Sequence, residues 1–352
     1  MATRAEAINY PKGDLKLAFC GACGFVTNTA FDPATQEHST RYEATQAHSG
    51  TFNAFAKSLA QRWVDRYQLC GRTILEIGCL NGEFISLLCT LADAKGIGID
   101  PALDPTRTHE TGGRVRFIKD FYSEKHSDLP ADFICCRHTL EHIARPLDFL
   151  ITIRKTIGDR KDVVLCFEVP DVLRVLNEGA FWDLYYEHCS YFAPQSLAGL
   201  FQRAGFEIID QRREFDDQYL VIDARPADSR SMGDVRSIEN AVANFERTNG
   251  EQVLKWRRVI ASGRRIVIWG SGSKAVGFLS TLAIAQETVP YVVDINPHKH
   301  GTFLPGTGQK IVAPQRLVEY QPQVIVAMNP VYRREIQADL DRMRVHAELM
   351  TL

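Results

Sequence analysis

Residues 72–77 form a short apolar run, and Leu75-Glu-Ile-Gly78-Cys-Leu-Asn-Gly82-Glu-Phe carries that run into a helical pattern at 82–91. A strand that turns on two glycines straight into a helix leaves few architectures open, because glycine lets the backbone turn sharply and pass close to a ligand. The pattern repeats. Residues 94–99, 115–118, 131–136 and 162–169 read as further strands, and 146–157 reads as a helix between them. Alternation of this kind predicts an α/β fold, a doubly wound, mostly parallel sheet with helices on both faces. A helix at 195–204 and a late antiparallel ribbon from 206–211 and 219–224 would complete it.

The rest of the chain divides around this unit. Phe52, Phe55, Leu59, Trp63 and Tyr67 recur at helical spacing and predict an amphipathic helix over 51–69. Upstream, residues 15–19 read as a strand and Cys20-Gly-Ala-Cys23-Gly24 as a tight knuckle. Arg225-Pro226-Ala-Asp-Ser breaks the pattern, a polar helix follows at 235–261, and a second strand–helix series begins at 265–269 with Gly270-Ser-Gly-Ser-Lys274. Strands at 289–293 and 324–327 follow. The expected division is an N-terminal, partly irregular module at 1–50, an α/β domain at 51–225, a helical linker at 226–262 and a second, smaller α/β domain at 263–352.

Composition narrows the class of function. Lys plus Arg number 41 and Asp plus Glu 43, a formal net charge of −2. That balance predicts no general attraction to nucleic acid or to an anionic membrane surface. Hydrophobic residues make up 45% of the chain and charged residues 24%, which excludes a mainly disordered or collagen-like protein. No run approaches the roughly 20 apolar residues that cross a bilayer. The first residues, Met1-Ala-Thr-Arg-Ala-Glu-Ala, lack a signal peptide's apolar core, so the nine cysteines are expected as reduced thiols in a cytoplasm.

Candidate ligand residues cluster at the strand ends, where doubly wound sheets take their ligands. Gly78, Asn81 and Gly82 form the first turn. Glu76 is a hydrogen-bond acceptor for a positively charged amino group. Gly96-Ile-Gly-Ile-Asp100 ends a strand in a carboxylate suited to two ribose hydroxyls, and Lys119-Asp120-Phe121 offers a polar group and an aromatic face for an adenine. His138-Thr-Leu-Glu141-His142 follows the fourth strand, with His138 placed at the pocket and His142 read as a packing residue. Together these motifs resemble those of class I S-adenosylmethionine-dependent methyltransferases. The resemblance implies a Rossmann-like methyltransferase domain that binds S-adenosylmethionine through Glu76, Gly78, Asn81, Gly82, Asp100, Asp120, Phe121 and His138.

After the fifth strand, Phe181-Trp-Asp-Leu-Tyr185-Tyr186-Glu187-His188-Cys189-Ser190-Tyr191-Phe192 gathers aromatic and ionisable groups. An imidazole suits proton transfer near neutral pH, and a tyrosine hydroxyl can relay a proton or support an oxyanion. The segment resembles the Tyr-x-Glu-His motif of sugar C-methyltransferases. The resemblance extends to Val293-Asp294-Ile-Asn296-Pro297-His-Lys299-His-Gly301, to Leu304-Pro305-Gly306-Thr307 and to Met328-Asn329, so it covers nearly the whole chain. It implies proton transfer by Tyr185 and His188, Glu187 at the sugar, and a Rossmann-like C-terminal domain that binds the acceptor. A nucleotide-linked keto-deoxysugar is the implied acceptor, with its diphosphate expected at Gly272, Ser273 and Lys274, where a helix N-terminus and a cation converge.

Two departures from that family stand out. Its members carry two Cys-x-x-Cys pairs in an N-terminal zinc module, whereas only Cys20 and Cys23 stand here. Four-coordinate zinc needs four ligands, with His38 and His48 as the only nearby substitutes, so zinc is in doubt and no metal residues are assigned. Near Gln46 the family tends to have an aromatic residue, which bears on the choice of substrate. Two other chemistries stay open: O-methylation of a sugar or other small molecule, and NAD-dependent oxidoreduction at Gly270-Ser-Gly-Ser-Lys-Ala-Val-Gly277, which departs from the dinucleotide fingerprint.

Overall fold

The computed structural model describes residues 1–35, 45–106, 108, 112–227 and 236–352. His38, residues 42–44 shortly before Gln46 and part of the expected linker therefore lie outside the described residues. Three sheets organise the chain. The largest has seven strands in the order Val115–Ile118, Lys95–Ile99, Thr73–Ile77, Phe133–Arg137, Val164–Pro170, Tyr219–Pro226 and Phe206–Glu214. The first five run parallel, and Tyr219–Pro226 is antiparallel to its neighbours on both sides, Val164–Pro170 and Phe206–Glu214. Strands covered by helices on both faces have no wet side, which explains why Thr73–Ile77 and Val164–Pro170 are almost continuously buried. The chain leaves Thr73–Ile77 toward one edge and returns beside it as Phe133–Arg137. That reversal opens a crevice at the carboxyl ends of these strands, the position at which such sheets take ligands.

The second sheet has five parallel strands, in the order Lys310–Val312, Tyr291–Val293, Ile266–Trp269, Val324–Ala327 and Glu348–Thr351. The two outermost strands are absent from the sequence reading. They have only three and four residues, and neither pattern is distinctive before a neighbouring strand supplies hydrogen bonds. Helix Arg236–Ile260 precedes this sheet and buries Ile238, Ala241, Trp256 and Ile260.

The third sheet is small and holds the segment that matters most. Leu17–Phe19 and Val26–Asn28 pair antiparallel, and Val26–Asn28 pairs in turn with Ser190–Tyr191. Thr27 Oγ1 donates to the carbonyl of Cys189 at 2.8 Å, and the Asn28 amide donates to the same carbonyl at 3.1 Å. At the other end of this segment, Phe181 and Trp182 enter the same apolar core as Trp256, Ile266 and Phe278. Phe181 stacks on Phe278 at 5.9 Å between ring centroids. Residues 185–188 are thus held between the N-terminal sheet and the C-terminal unit.

Candidate active site

The glycine turn is built by three left-handed residues, Gly78, Leu80 and Gly82, with φ of 77°, 47° and 83°. A β-carbon on Gly78 would collide with Thr139 Oγ1, and one on Gly82 with the Phe117 ring. The turn is therefore wedged against the neighbouring strands, and Gly82 starts helix Glu83–Ala92. Beneath it, buried Glu76 accepts from the Ile85 amide at 3.0 Å. Burial pushes its pKa up to about 7 against the pull of Arg137 and the Ile85 amide. Asp100 is buried at the end of Lys95–Ile99, where it accepts from the Leu80 amide at 2.8 Å and from the Ala102 amide at 2.7 Å. Asn81 accepts from the Asp104 amide at 3.3 Å.

Asp120 and Phe121 stand farther out. Asp120 pairs with Lys125 at 2.5 Å, a bond that holds its carboxyl below the usual range, and the Phe121 ring is 57% exposed. These groups fit S-adenosylmethionine. A carboxylate close to its ionisation midpoint would be drawn into its charged form by an ammonium group, Asp100 matches a diol, and Phe121 offers a ring face.

His138 differs from the simple pocket-lining residue expected. Its Nε2 lies 2.7 Å from Glu168 and its Nδ1 3.5 Å from Glu141, so both ring nitrogens face carboxylates. Burial alone would lower its pKa, but Glu168 and Glu141 reverse this and raise it to about 9. Glu168 responds in kind: burial would raise it, yet Arg137 and His138 bring it down to about 2. The result is a charge-balanced group of buried glutamates and a half-buried imidazole, with the His138 ring edge-on to Tyr219 at 4.5 Å.

The aromatic segment brings Tyr185 and His188 together, with ring centroids 4.7 Å apart and nearly perpendicular. His188 is buried, and its pKa falls to about 3 because burial, and then His142, disfavour the charged ring. It is a neutral imidazole at physiological pH. The Tyr185 hydroxyl donates to Asp183 at 2.7 Å, and burial with the Asp183 charge holds its pKa well above the ordinary tyrosine value. Glu187 is half-buried. Its carbonyl meets His142 Nδ1 at 3.0 Å, while its carboxylate makes no hydrogen bond or ion pair among the described residues. His142, read from the sequence as packing, stands edge-on to His188 at 4.8 Å.

Glu141, His142 and His188 have ligand atoms within 4.8 Å of one another, the one group among the described residues that could hold a metal ion. The zinc considered for the N-terminal knuckle does not fit. The loop forms, with the Gly24 amide donating to the Cys20 carbonyl at 2.8 Å, but no further ligand joins the two thiols among the described residues. His48 instead packs against His298. Gln46 accepts from the Tyr332 hydroxyl at 2.8 Å, which ties it to the C-terminal unit.

Gly272 and Ser273 begin helix Ser273–Thr281, as the pattern predicts. Lys274 departs from the expected phosphate contact. Its ammonium donates to Asp183 at 2.9 Å and to Gln218 at 2.9 Å. Asp183 also pairs with Arg174, and Gln218 exchanges two amide hydrogen bonds with Asn329 at 2.9 and 3.0 Å. Neither Asp183, Gln218 nor Glu168 carries a motif. Only Glu168 leaves a trace, as a lone acid in the otherwise apolar strand Val164–Pro170.

Comparison with known proteins identifies the domains of the chain. A family model described as a methyltransferase domain matches residues 52–211, and one described as a C-methyltransferase C-terminal domain matches 228–348. The chain is 22% identical over 347 residues to the C-methyltransferase NovU of Streptomyces niveus, which covers 92% of this chain and 81% of that protein. Among solved structures, a 1,6-didemethyltoxoflavin-N1-methyltransferase from Burkholderia thailandensis aligns at 16% identity, covering 60% of this chain and all of that one with a TM-score of 0.39. A magnesium protoporphyrin IX methyltransferase from Synechocystis aligns at 14%, covering 53% of this chain and 89% of that one, also with a TM-score of 0.39. The chain belongs to the S-adenosylmethionine-dependent methyltransferases, as an enzyme with a methyltransferase domain followed by a C-methyltransferase C-terminal domain.

Proposed function

We propose that this methyltransferase acts on carbon, methylating a nucleotide-linked keto-deoxysugar next to its ketone. The observation that carries the reading is the edge-to-face packing of a neutral, buried His188 against the Tyr185 ring, in a chain whose residues 228–348 match a C-methyltransferase C-terminal domain. Glu76, the 78–82 turn, Asp100, Asp120 and Phe121 would hold S-adenosylmethionine, which supplies an electrophilic methyl group when bound. A proton on a carbon beside a ketone is acidified because the electron pair left behind delocalises onto the ketone oxygen. His188 takes that proton on its free imidazole lone pair, and the Tyr185 hydroxyl hydrogen, otherwise held by Asp183, turns to the oxygen as it gains charge. The low proton affinity of His188 in the empty site rises when an oxyanion forms beside it, since the new ion pair offsets the burial that disfavours imidazolium. Glu187, with its carboxylate unengaged, would accept from a sugar hydroxyl.

The test is methyl-labelled S-adenosylmethionine offered with a panel of nucleotide sugars, with the product's new bond located by mass spectrometry and NMR. A methyl on carbon supports the reading. A methyl on oxygen replaces it with O-methylation, in which the same base would deprotonate a hydroxyl. NADH binding to the second unit would instead favour the oxidoreductase reading.

A further inference from the structure

The Gly270–Lys274 turn lies at the start of a helix in the C-terminal unit, yet its lysine points into the methyltransferase unit. Lys274 Nζ sits 2.9 Å from Asp183 Oδ1 and 3.0 Å from Oδ2, and the same Oδ1 accepts the Tyr185 hydroxyl at 2.7 Å. Arg174 holds Oδ2 from the other side. Gln218, at the tip of the hairpin joining Phe206–Glu214 to Tyr219–Pro226, accepts from Lys274 and is itself clamped by Asn329 of the C-terminal unit. Asp183, Gln218 and Asn329 are all buried, so these bonds are poorly exchangeable with water. A tyrosine hydroxyl can rotate, and the acceptor it faces decides where its proton and lone pairs point. Asp183 makes that decision here, and Lys274 fixes Asp183.

We propose that Lys274 is a positioning residue: acting through Asp183, it sets the orientation of the Tyr185 hydroxyl, so that the C-terminal unit completes the proton-transfer site instead of only carrying the acceptor. This rests on the carbon-methylation reading above for the role of Tyr185, while the contact itself is independent of it. The arrangement also reassigns the glycine turn. An ammonium already paired with a carboxylate and capped by an amide has little charge left for a diphosphate.

Two measurements on the full-length protein separate the possibilities. In the first, 3-fluorotyrosine is placed at position 185 and followed by fluorine NMR with S-adenosylhomocysteine bound. Lys274→Met should move the resonance, and Asp183→Asn, which preserves the shape of the side chain, should both move it and bring the ring's deprotonation to lower pH by removing the negative neighbour. A resonance unmoved in folded Lys274→Met overturns the proposal, whether or not Asp183→Asn moves it. Should Lys274→Met fail to fold, as loss of S-adenosylhomocysteine binding would reveal, Lys274→Gln, which removes the charge and keeps a polar end, answers the same question.

In the second, α-proton exchange of thymidine-diphospho-4-keto-6-deoxyglucose is followed in heavy water. Lys274→Met should lower the maximal rate about tenfold, the scale of losing one charge-assisted hydrogen bond, with the half-saturating sugar concentration nearly unchanged. Lys274→Arg should recover most of the rate. The double variant Lys274→Met/Tyr185→Phe should be no slower than Tyr185→Phe alone, since residues acting through one another do not add. A raised half-saturation at full rate would make Lys274 a phosphate ligand, and additive losses would make it an independent one; either overturns the proposal. If the wild type exchanges no proton, the carbon-methylation reading falls, and the fluorine measurement still decides the contact.

Discussion

The chain contains the same local device twice, and the two copies end differently. In each, a buried parallel strand enters a glycine turn, the turn starts a helix, and the next strand ends in an aspartate, Asp100 in one and Asp294 in the other. Both aspartates brace their own turns. Asp100 accepts from the Leu80 amide, and Asp294 accepts from the Ser271 amide at 3.0 Å and from the Ser271 hydroxyl. The difference lies in what each turn faces. The first has Glu76 beneath it, near its ionisation midpoint, and the exposed Phe121 ring beyond. The second sends Lys274 across to Asp183. A strand–turn–helix is thus only a way of presenting groups, and the partner across the gap decides whether it presents them to a ligand or to another part of the chain.

The largest effect expected is on the chemistry at the segment between the two turns. His188→Ala should keep S-adenosylmethionine binding and lower turnover by roughly 10²–10⁴, the scale of losing a general base. Turnover at the wild-type rate would reduce His188 to packing and leave neither turn with a reaction to serve.

The sharpest test of the comparison itself is Asp100→Ala beside Asp294→Ala, with S-adenosylmethionine affinity read by calorimetry. The first should weaken binding about tenfold to a hundredfold, by losing hydrogen bonds to a diol. The second should leave affinity unchanged and lower the melting temperature. Equal losses of affinity would erase the distinction drawn between the turns.

The pH dependence of cofactor binding should follow from Glu76. Its folded pKa is raised to about 7, and an ammonium ligand prefers the ionised form, so affinity should climb as pH rises toward 7 and flatten above it. The sign for stability is opposite: a group that keeps its proton longer in the folded state stabilises at acid pH, and that contribution is lost as pH rises from about 4.5 through 7. His188 works the other way. Its folded pKa is lowered to about 3, so its contribution is complete above about 6.5 and is lost as pH falls toward 3. Comparing each wild-type melting profile with that of Glu76→Gln or His188→Asn isolates these two opposed terms.

The smallest effect should come from Cys20→Ser with Cys23→Ser. With only two thiols at the knuckle, the expected cost is about 0.5 kcal/mol or less, with no change in bound metal measured by mass spectrometry. A stoichiometric loss of zinc would show that ligands outside the described residues complete the site.

Much of this molecule is legible from the sequence because its signals are local. A strand buried on both faces must be apolar, as at Val324–Ala327, and a turn with left-handed residues favours glycine, as at 78 and 82. The acid at Asp100 stands at a fixed place in that repeating unit. The short strands Ser190–Tyr191, Lys310–Val312 and Glu348–Thr351 leave no such trace, because they exist only through the neighbour that pairs with them.

Charge partnerships belong to this second kind. A lysine after a glycine turn looks the same whether it faces a phosphate or a carboxylate, and an isolated Asp183 or Gln218 has no periodicity to betray it. Local sequence determined the two α/β units, the position of the first turn and the run of aromatic and ionisable residues around Tyr185 and His188. Tertiary structure alone decided that Lys274 meets Asp183, that His138 is held as a cation between Glu168 and Glu141, and that His188 stays neutral, because desolvation and Coulomb energy depend on distances between residues far apart in the chain.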